Sequence, residues 1–457
     1  MIAPARRAAM AALLAVELGR ADLDTAVDRA REGLTDPRDL ALLHEIVTGT
    51  LRWQGRLDWS LAALSTLPLD RLDAEVRVAL RMGAYQLEHL DRTPARAVVD
   101  DAVALVKRAR KSSAAGLVNA VLRRLARGDG RPLPDPAAAT TDEALAAALA
   151  VTTAHPRWLV DRWLARESRD VVEAWLAFDN TAPPLVLRVN PLVAGGRDAA
   201  VRRLELRGVE THPCRWAPLG LVVDGGPSPG LSRALESGEV FLQDEGSQLA
   251  ALVAPVRAGQ TVLDLCAAPG GKTLAYAAAA GPAGRVIACD VRPRRLALLA
   301  ATVRRATADR AAVVAVGERE PLPFAPAFDV VAVDAPCSGL GTLRRDPDIK
   351  WRRRPEDLAA YQARQVDLLR RASAAVAPGG TLVYTTCSTE PEENGDVIAR
   401  FLSEAPAFER RPVAAGPDGR YLTPFVDADG WLRLHPARHG LEGYFGAVVA
   451  RRAGGRS

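Results

Sequence analysis

Apolar residues recur at every third or fourth position through the first part of the chain, up to about residue 127. After Asp36-Pro37, a favourable helix start, Leu40, Leu43, Ile46, Val47 and Leu51 fall on one helical face, and Val98 to Arg108 and Leu117 to Leu125 keep the same period. An all-α segment is predicted. It stops at Gly128-Asp129-Gly130-Arg131-Pro132-Leu133-Pro134-Asp135-Pro136, where glycine or proline at every second position cannot continue a helix, so a domain boundary is expected there. Between about 140 and 250 the pattern is mixed: a helix around His155-Pro156-Arg157-Trp158-Leu159-Val160-Asp161-Arg162-Trp163, then strand-like runs at Leu185 to Val189 and Leu221 to Val223. A small α/β unit follows from this. From Thr261 onward strands and helices alternate, with strands at Thr261 to Leu265, Val286 to Asp290, Ala312 to Val316, Phe328 to Asp334 and Thr381 to Thr386. That order is the signature of a doubly wound parallel sheet. The expected domains are 1–130 (helical), 131–250 (linker and small α/β region) and 251–457 (Rossmann-like).

Length agrees, since 457 residues is too many for one ordinary core, and 48% hydrophobic content is enough to fill two or three. A net charge of +5 permits a polyanionic partner without requiring one. The Ala-rich start is interrupted by Glu17, Arg20 and Asp22, which suits neither a signal peptide nor a membrane span, so a cytoplasmic protein with no membrane partner is expected. The five cysteines, Cys214, Cys266, Cys289, Cys337 and Cys387, are odd in number and form no CxxC pair. That argues against a disulfide framework or a metal site and for reduced thiols.

The chemistry-bearing residues sit where strands end. Asp264-Leu265-Cys266-Ala267-Ala268-Pro269-Gly270-Gly271-Lys272-Thr273 closes the first strand and opens a helix. Glycines there let the backbone approach a ligand, and the helix offers its positive end, as a nucleotide-type cofactor requires. Asp290 ends the second strand about 20 residues on, where a carboxylate accepts ribose hydroxyls. Gly271-Lys272-Thr273 imitates the end of a phosphate-binding Walker loop, but Cys266 occupies the place of its first glycine, and GxGxxG is absent. Asp334-Ala335-Pro336-Cys337-Ser338-Gly339 closes one strand and Thr386-Cys387-Ser388 the next. In a parallel sheet those carboxyl ends are neighbours, so both thiols should face the cofactor crevice. Paired thiols suit methyl transfer to a pyrimidine carbon: C5 of cytosine is a poor nucleophile until a thiolate adds at C6, and a second thiol can serve release. Asp334, three residues before Cys337, is placed to contact N3. Cys266 and Cys289 read as packing residues.

These strings, with Thr385-Thr386-Cys387-Ser388, resemble the RNA cytosine-5 methyltransferases of the Sun family. Gly116-Leu117-Val118-Asn119-Ala120-Val121-Leu122-Arg123 is similar to the NusB-type RNA-binding domain fused to bacterial members that act on small-subunit ribosomal RNA. The resemblance covers nearly the whole chain and includes His155-Pro156-Arg157-Trp158-Leu159 and Gln243-Asp244-Glu245-Gly246-Ser247-Gln248. It implies an all-α NusB-like domain, an RRM-like middle region and a Rossmann-like methyltransferase domain, with S-adenosyl-L-methionine as donor. It further implies Cys387 as nucleophile, Cys337 as the residue assisting release, Asp334 as the contact to the base, and the Lys272 ammonium near enough to the base to assist. Cofactor binding is implied for Cys266, Ala267, Ala268, Pro269, Gly270, Gly271, Lys272 and Asp290, with Asp334 and Glu318 at the margin. Glu318 is a departure, since after the third strand the family has Gly-Asp where this chain has Gly317-Glu318.

The expected partner is RNA, small-subunit ribosomal RNA above all, with no DNA and the chain acting as a monomer. Arg344, Arg345, Lys350, Arg352, Arg353 and Arg354 cluster with Trp351, a composition suited to phosphate contacts and stacking, or to a solvated basic loop. Lys107, Arg108, Arg110 and Lys111 could touch RNA or form a polar helix end. His155, His212 and His435, and Trp53, Trp59, Trp158 and Trp163, read as structural. Open alternatives are a transfer-RNA cytosine-5 methyltransferase, an enzyme methylating a nitrogen or ribose hydroxyl, and a catalytically silent RNA-binding protein.

Overall fold

The structure is a computed structural model that describes residues 2–453. The chain divides into two compact units: residues up to Ala182 together with Leu343–Arg353, and Pro183–Thr342 together with the residues from Arg354 on. The break therefore falls at 182/183, and the Gly/Pro stretch at 128–136 lies inside the first unit. Among the described residues no helix is long and apolar enough to cross a membrane.

The first unit is helical. Its longest helix, Pro37–Leu64, begins where Asp36 accepts a hydrogen bond from the Arg38 amide at 2.8 Å, with proline in the first turn, where its missing N–H costs nothing. Leu43, Ile46, Val47, Leu51, Leu57 and Leu61 line its buried face and pack with Leu13, Leu80, Met82, Val106 and Leu122 from neighbouring helices. Farther along, Trp163 is fully buried and stacks on Trp175 at 3.8 Å between ring centroids.

Leu343–Arg353 belongs to this unit, and here the basic-cluster expectation is corrected. Lys350 is buried, its Nζ donating to Asn180 Oδ1 at 2.8 Å and lying 3.4 Å from the carbonyls of Arg52 and Ala154. Trp351 donates from Nε1 to the Leu51 carbonyl at 2.7 Å, Arg344 is buried over the Phe178 ring, and Arg352 pairs with Asp348. Three members of the cluster are packing elements, and the contacts that hold them are invisible to a charge count. Lys111 likewise pairs with Asp73 at 2.9 Å.

In the second unit, β1 (Val186–Val189), β2 (Thr211–Pro213), β3 (Gly220–Val223) and β4 (Val240–Leu242) form an antiparallel sheet in the order β2-β3-β1-β4. A larger sheet follows, built from β5 (Thr261–Leu265), β6 (Arg285–Asp290), β7 (Ala311–Ala315), β8 (Phe328–Asp334), β9 (Val376–Thr386), β10 (Phe408–Arg411), β11 (Leu432–Leu434) and β12 (Tyr444–Arg451). Its order is β10-β12-β9-β8-β5-β6-β7, with β11 beside β12. Strands β5 to β9 are parallel as the alternation predicted; β10, β11 and β12 add an antiparallel edge that it did not, so the sheet is mixed. Both faces are covered: on β8, Val330 and Ala332 join one core, while Val331 and Val333 join the other. Such double burial explains why these strands read as unbroken apolar runs. Because β5 is flanked by β6 and β8, the direction of winding reverses between β5 and β8, and the carboxyl ends there frame a crevice.

Candidate active site

Three turns leave the carboxyl ends of β5, β8 and β9. In the first, Cys266 has φ 61° and Gly270 φ 111°, after which the helix Gly271–Ala280 begins. A Cβ at Gly270 would meet Leu299 and Thr302 at about 3.0 and 3.1 Å, and one at Gly271 would meet the Gln243 side chain at 3.2 Å. Both glycines thus lie in close contact with neighbouring protein. At the end of β5, Asp264 is fully buried and accepts from Thr273 Oγ1 at 2.6 Å; burial pushes its carboxyl up to about 7. Burial likewise pushes the Cys266 and Cys289 thiols up to about 12, consistent with packing roles.

Beside the first turn lies a cavity of about 520 Å3 lined by Leu265, Cys266, Asp290, Val291, Val316, Leu322 and Pro336, with arginines at positions 292, 295, 319, 364 and 371. Asp290 closes β6, one carboxylate oxygen accepting from the Val291 amide at 2.8 Å and the other lying 3.3 Å from the Ala268 amide. Glu318 lines the cavity too, but its side chain is 65% exposed and pairs with Arg364 at 3.0 Å. Apolar walls from Leu265, Val291, Val316, Leu322 and Pro336, a carboxylate at a strand end and a volume within the range of small-molecule sites suit a nucleoside with an amino-acid tail, such as S-adenosylmethionine.

The second and third turns bring the thiols together. Asp334–Thr385 is one step of the β8–β9 register, and beyond it Cys337 Sγ and Cys387 Sγ stand 3.1 Å apart. Asp334 Oδ2 accepts from Lys272 Nζ at 2.7 Å, and Oδ1 from Thr385 Oγ1 at 2.9 Å. Lys272 is buried; burial opposes its charge, but Asp334 holds its amine above the ordinary lysine value. The Cys387 thiol is pushed well above its ordinary value by its hydrogen bond with Cys337, then by burial and by Asp334, while Lys272 pulls it down. Cys337, Cys387, Asp334 and Lys272 are therefore brought into one cluster; Cys266 and Asp290 sit with the cavity.

Sequence reasoning missed two contributors. Tyr444 of β12 donates to Asp244 Oδ2 at 3.1 Å, and its ring centroid is 5.8 Å from Lys272 Nζ, which sets Gln243-Asp244-Glu245 beside the cluster. Glu393, six residues past Cys387 (393 − 387), is fully buried between the two thiol turns. The only signal was a run of carboxylates, Glu390, Glu392 and Glu393.

The family described as 16S rRNA methyltransferase RsmB/F matches residues 250–450, the NusB family matches 3–127, and the Methyltr_RsmF/B-like ferredoxin-like domain matches 155–228. The ribosomal RNA small subunit methyltransferase B of Pseudomonas putida is 36% identical over 428 residues, 91% of this chain and 94% of that one. Its namesake in Erwinia tasmaniensis is 34% identical over 434 residues, 90% and 95%. Among solved structures, PH0851 superposes with a TM-score of 0.81 at 26% identity, covering 98% of this chain and 99% of that one. A methyltransferase homologue from Pyrococcus horikoshii gives 0.55 at 25% identity, covering 66% and 97%.

The mixed sheet, its crevice and these matches define the class: the chain is an S-adenosylmethionine-dependent methyltransferase. It carries an all-α NusB domain, a small ferredoxin-like domain and a C-terminal α/β domain. Within that class it belongs to the 16S rRNA methyltransferase RsmB/F family.

Proposed function

We propose that this chain methylates C5 of a cytosine in small-subunit ribosomal RNA, with Cys387 as the nucleophile. The observation that carries the reading is the pair of sulfurs 3.1 Å apart at the ends of adjacent parallel strands, beside the Lys272–Asp334 ion pair. The Cys387 thiolate adds to C6 of the base, and the C5=C6 pair shifts toward C4 and N3, leaving an enamine whose C5 is nucleophilic. N3 takes up the proton that the Cys387 thiol gives up, relayed through Asp334, whose carboxylate, oriented by Lys272 and Thr385, then accepts that N3–H. The Cys266–Lys272 turn and Asp290 would hold S-adenosylmethionine, which would supply an electrophilic methyl group from its sulfonium and leave as S-adenosylhomocysteine. Once C5 carries the methyl, Cys337 as thiolate takes the C5 proton; the C–H pair restores C5=C6, the C6–S bond breaks with its electrons returning to Cys387, and the N3 proton passes back through Asp334 to that sulfur.

A base inside a duplex cannot reach a half-buried thiol at the end of a central strand, so the target cytosine is unpaired or flipped. Residues 1–130 anchor RNA, 131–250 form the linker and small RNA-binding region, and 251–457 do the chemistry. The enzyme acts as a monomer, with no DNA or membrane partner. Cys387→Ala is expected to reduce methyl incorporation into small-subunit ribosomal RNA to background, with bisulfite sequencing reading the position. Near-normal turnover in that variant rejects the mechanism, and preferential methylation of transfer RNA rejects the substrate.

A further inference from the structure

The Glu393 carboxylate is fully buried and accepts four hydrogen bonds, three from the turns that carry the sulfurs and one from Gln365. Ser338, next to Cys337, donates its amide to Oε1 at 2.8 Å and its hydroxyl to Oε2 at 2.5 Å. Ser388, next to Cys387, donates its hydroxyl to the same Oε2 at 2.6 Å. Gln365 Nε2 donates to Oε1 at 3.1 Å and to the Pro336 carbonyl, one residue before Cys337, at 3.0 Å. Each serine hydroxyl is also approached by a backbone amide two residues on, Leu340 at 3.3 Å and Glu390 at 3.2 Å.

Glu393 is itself fixed. Its carbonyl accepts the Tyr384 hydroxyl at 2.6 Å, and the adjacent Asn394 accepts from Thr386 Oγ1 at 2.7 Å and donates to the Ser388 carbonyl at 2.9 Å. The two serine hydroxyls lie 3.3 Å apart, and Glu393 bridges both through one carboxylate. A carboxylate suits the place because all four groups facing it are donors and it is acceptor-only, whereas an amide presents two N–H groups of its own.

We propose that Glu393 is a positioning residue that sets the spacing between the two thiols, and that this spacing governs the release of the methylated base more than the attack on it. Attack needs one sulfur and the ring; release needs the second sulfur at the C5 hydrogen while the first is still bonded to C6. A shift of one turn against the other therefore strikes the step that uses both. The inference rests on the two-cysteine reading proposed above.

The test compares wild type, Cys337→Ala, Glu393→Gln and Ser388→Ala as full chains with small-subunit ribosomal RNA and S-adenosylmethionine, scoring RNA–protein adduct on denaturing gels beside steady-state kinetics. Glu393→Gln is expected to lower kcat roughly ten- to a hundredfold, the scale of a misplacement near 1 Å, with KM for both substrates within about twofold. It should also accumulate adduct to a level between wild type and Cys337→Ala. Ser388→Ala keeps the carboxylate with its other donors and should move both readouts in the same direction by less, which decides the matter if Glu393→Gln fails to fold. A merely structural role lowers folded protein and activity together and raises no adduct. If Cys337→Ala traps RNA while neither folded variant accumulates adduct, the positioning role is overturned. If Cys337→Ala itself traps nothing, the two-cysteine reading has failed, and the inference falls with it.

Discussion

Replacing Lys272 with methionine removes the one cation that acts to lower the Cys387 thiol. The Lys272 side chain is 9% exposed and its Nζ lies 2.7 Å from Asp334 Oδ2, whose side chain is 35% exposed. Breaking a buried pair costs about 3–5 kcal/mol. Solvent reaching Asp334 screens part of this, leaving an expected loss of about 2 kcal/mol in stability. The effect on chemistry is larger. Loss of an opposite charge moves a pKa by about 1–3 units. Cys387 already stands well above the ordinary cysteine value, so its thiolate is a minor species at neutral pH, and a further rise thins it about tenfold or more. The sign is fixed: reactivity of Cys387 rises with pH in both proteins, and the rise begins at higher pH without Lys272. Alkylation of Cys387 by iodoacetamide, read by peptide mass spectrometry from about pH 6 to 10, measures this directly. A profile unchanged, or moved to lower pH, refutes the electrostatic role given to Lys272.

Cys337→Ala should trap RNA as a covalent adduct that survives denaturation, and absence of a shifted band counts against its release role. Gly341→Ala places a Cβ 2.1 Å from the Gly443 carbonyl and 2.9 Å from that of Cys387, so backbone must move. A loss of about 1–3 kcal/mol in stability, with a fall in methylation, is expected from calorimetry and tritium transfer, and an unchanged Tm and rate contradict it. In the first unit, burial drives the Lys350 amine down to about 7 from 10.5, partly offset by Asp179. Between those values the unfolded chain binds more protons than the folded one, so this residue makes stability rise with pH across that window. Lys350→Met should flatten the increase in Tm between about pH 7 and 9.5, and an unaltered increase would show that Lys350 is not its source.

Much of the second unit was legible because doubly buried parallel strands are short apolar runs ended by polar turns. The predicted strands at Thr261 to Leu265 and Phe328 to Asp334 match β5 and β8, while Thr381 to Thr386 is only the end of β9, which starts at Val376 and runs through Gly379 and Gly380. The antiparallel β10 and β11 escaped because Phe408–Arg411 is largely charged and Leu432–Leu434 is too short to show a period. Juxtaposition of Cys337 and Cys387 followed from one rule, that neighbouring parallel strands end side by side. The inward turn of Glu393 did not, since no spacing distinguishes it from the less buried Glu392. The basic run failed for a related reason: burial of Lys350 depends on carbonyls of Arg52 and Ala154, nearly 300 and 200 residues distant in sequence, which no local pattern encodes.

The covalent bond between a cysteine and the cytosine ring is most directly tested by digesting the Cys337→Ala adduct and sequencing the cross-linked peptide by mass spectrometry. A nucleotide mass on Cys387, together with loss of C5 methylation in Cys387→Ala, is the expected result. A nucleotide on another residue, or methylated cytosine still formed when that sulfur is gone, contradicts it.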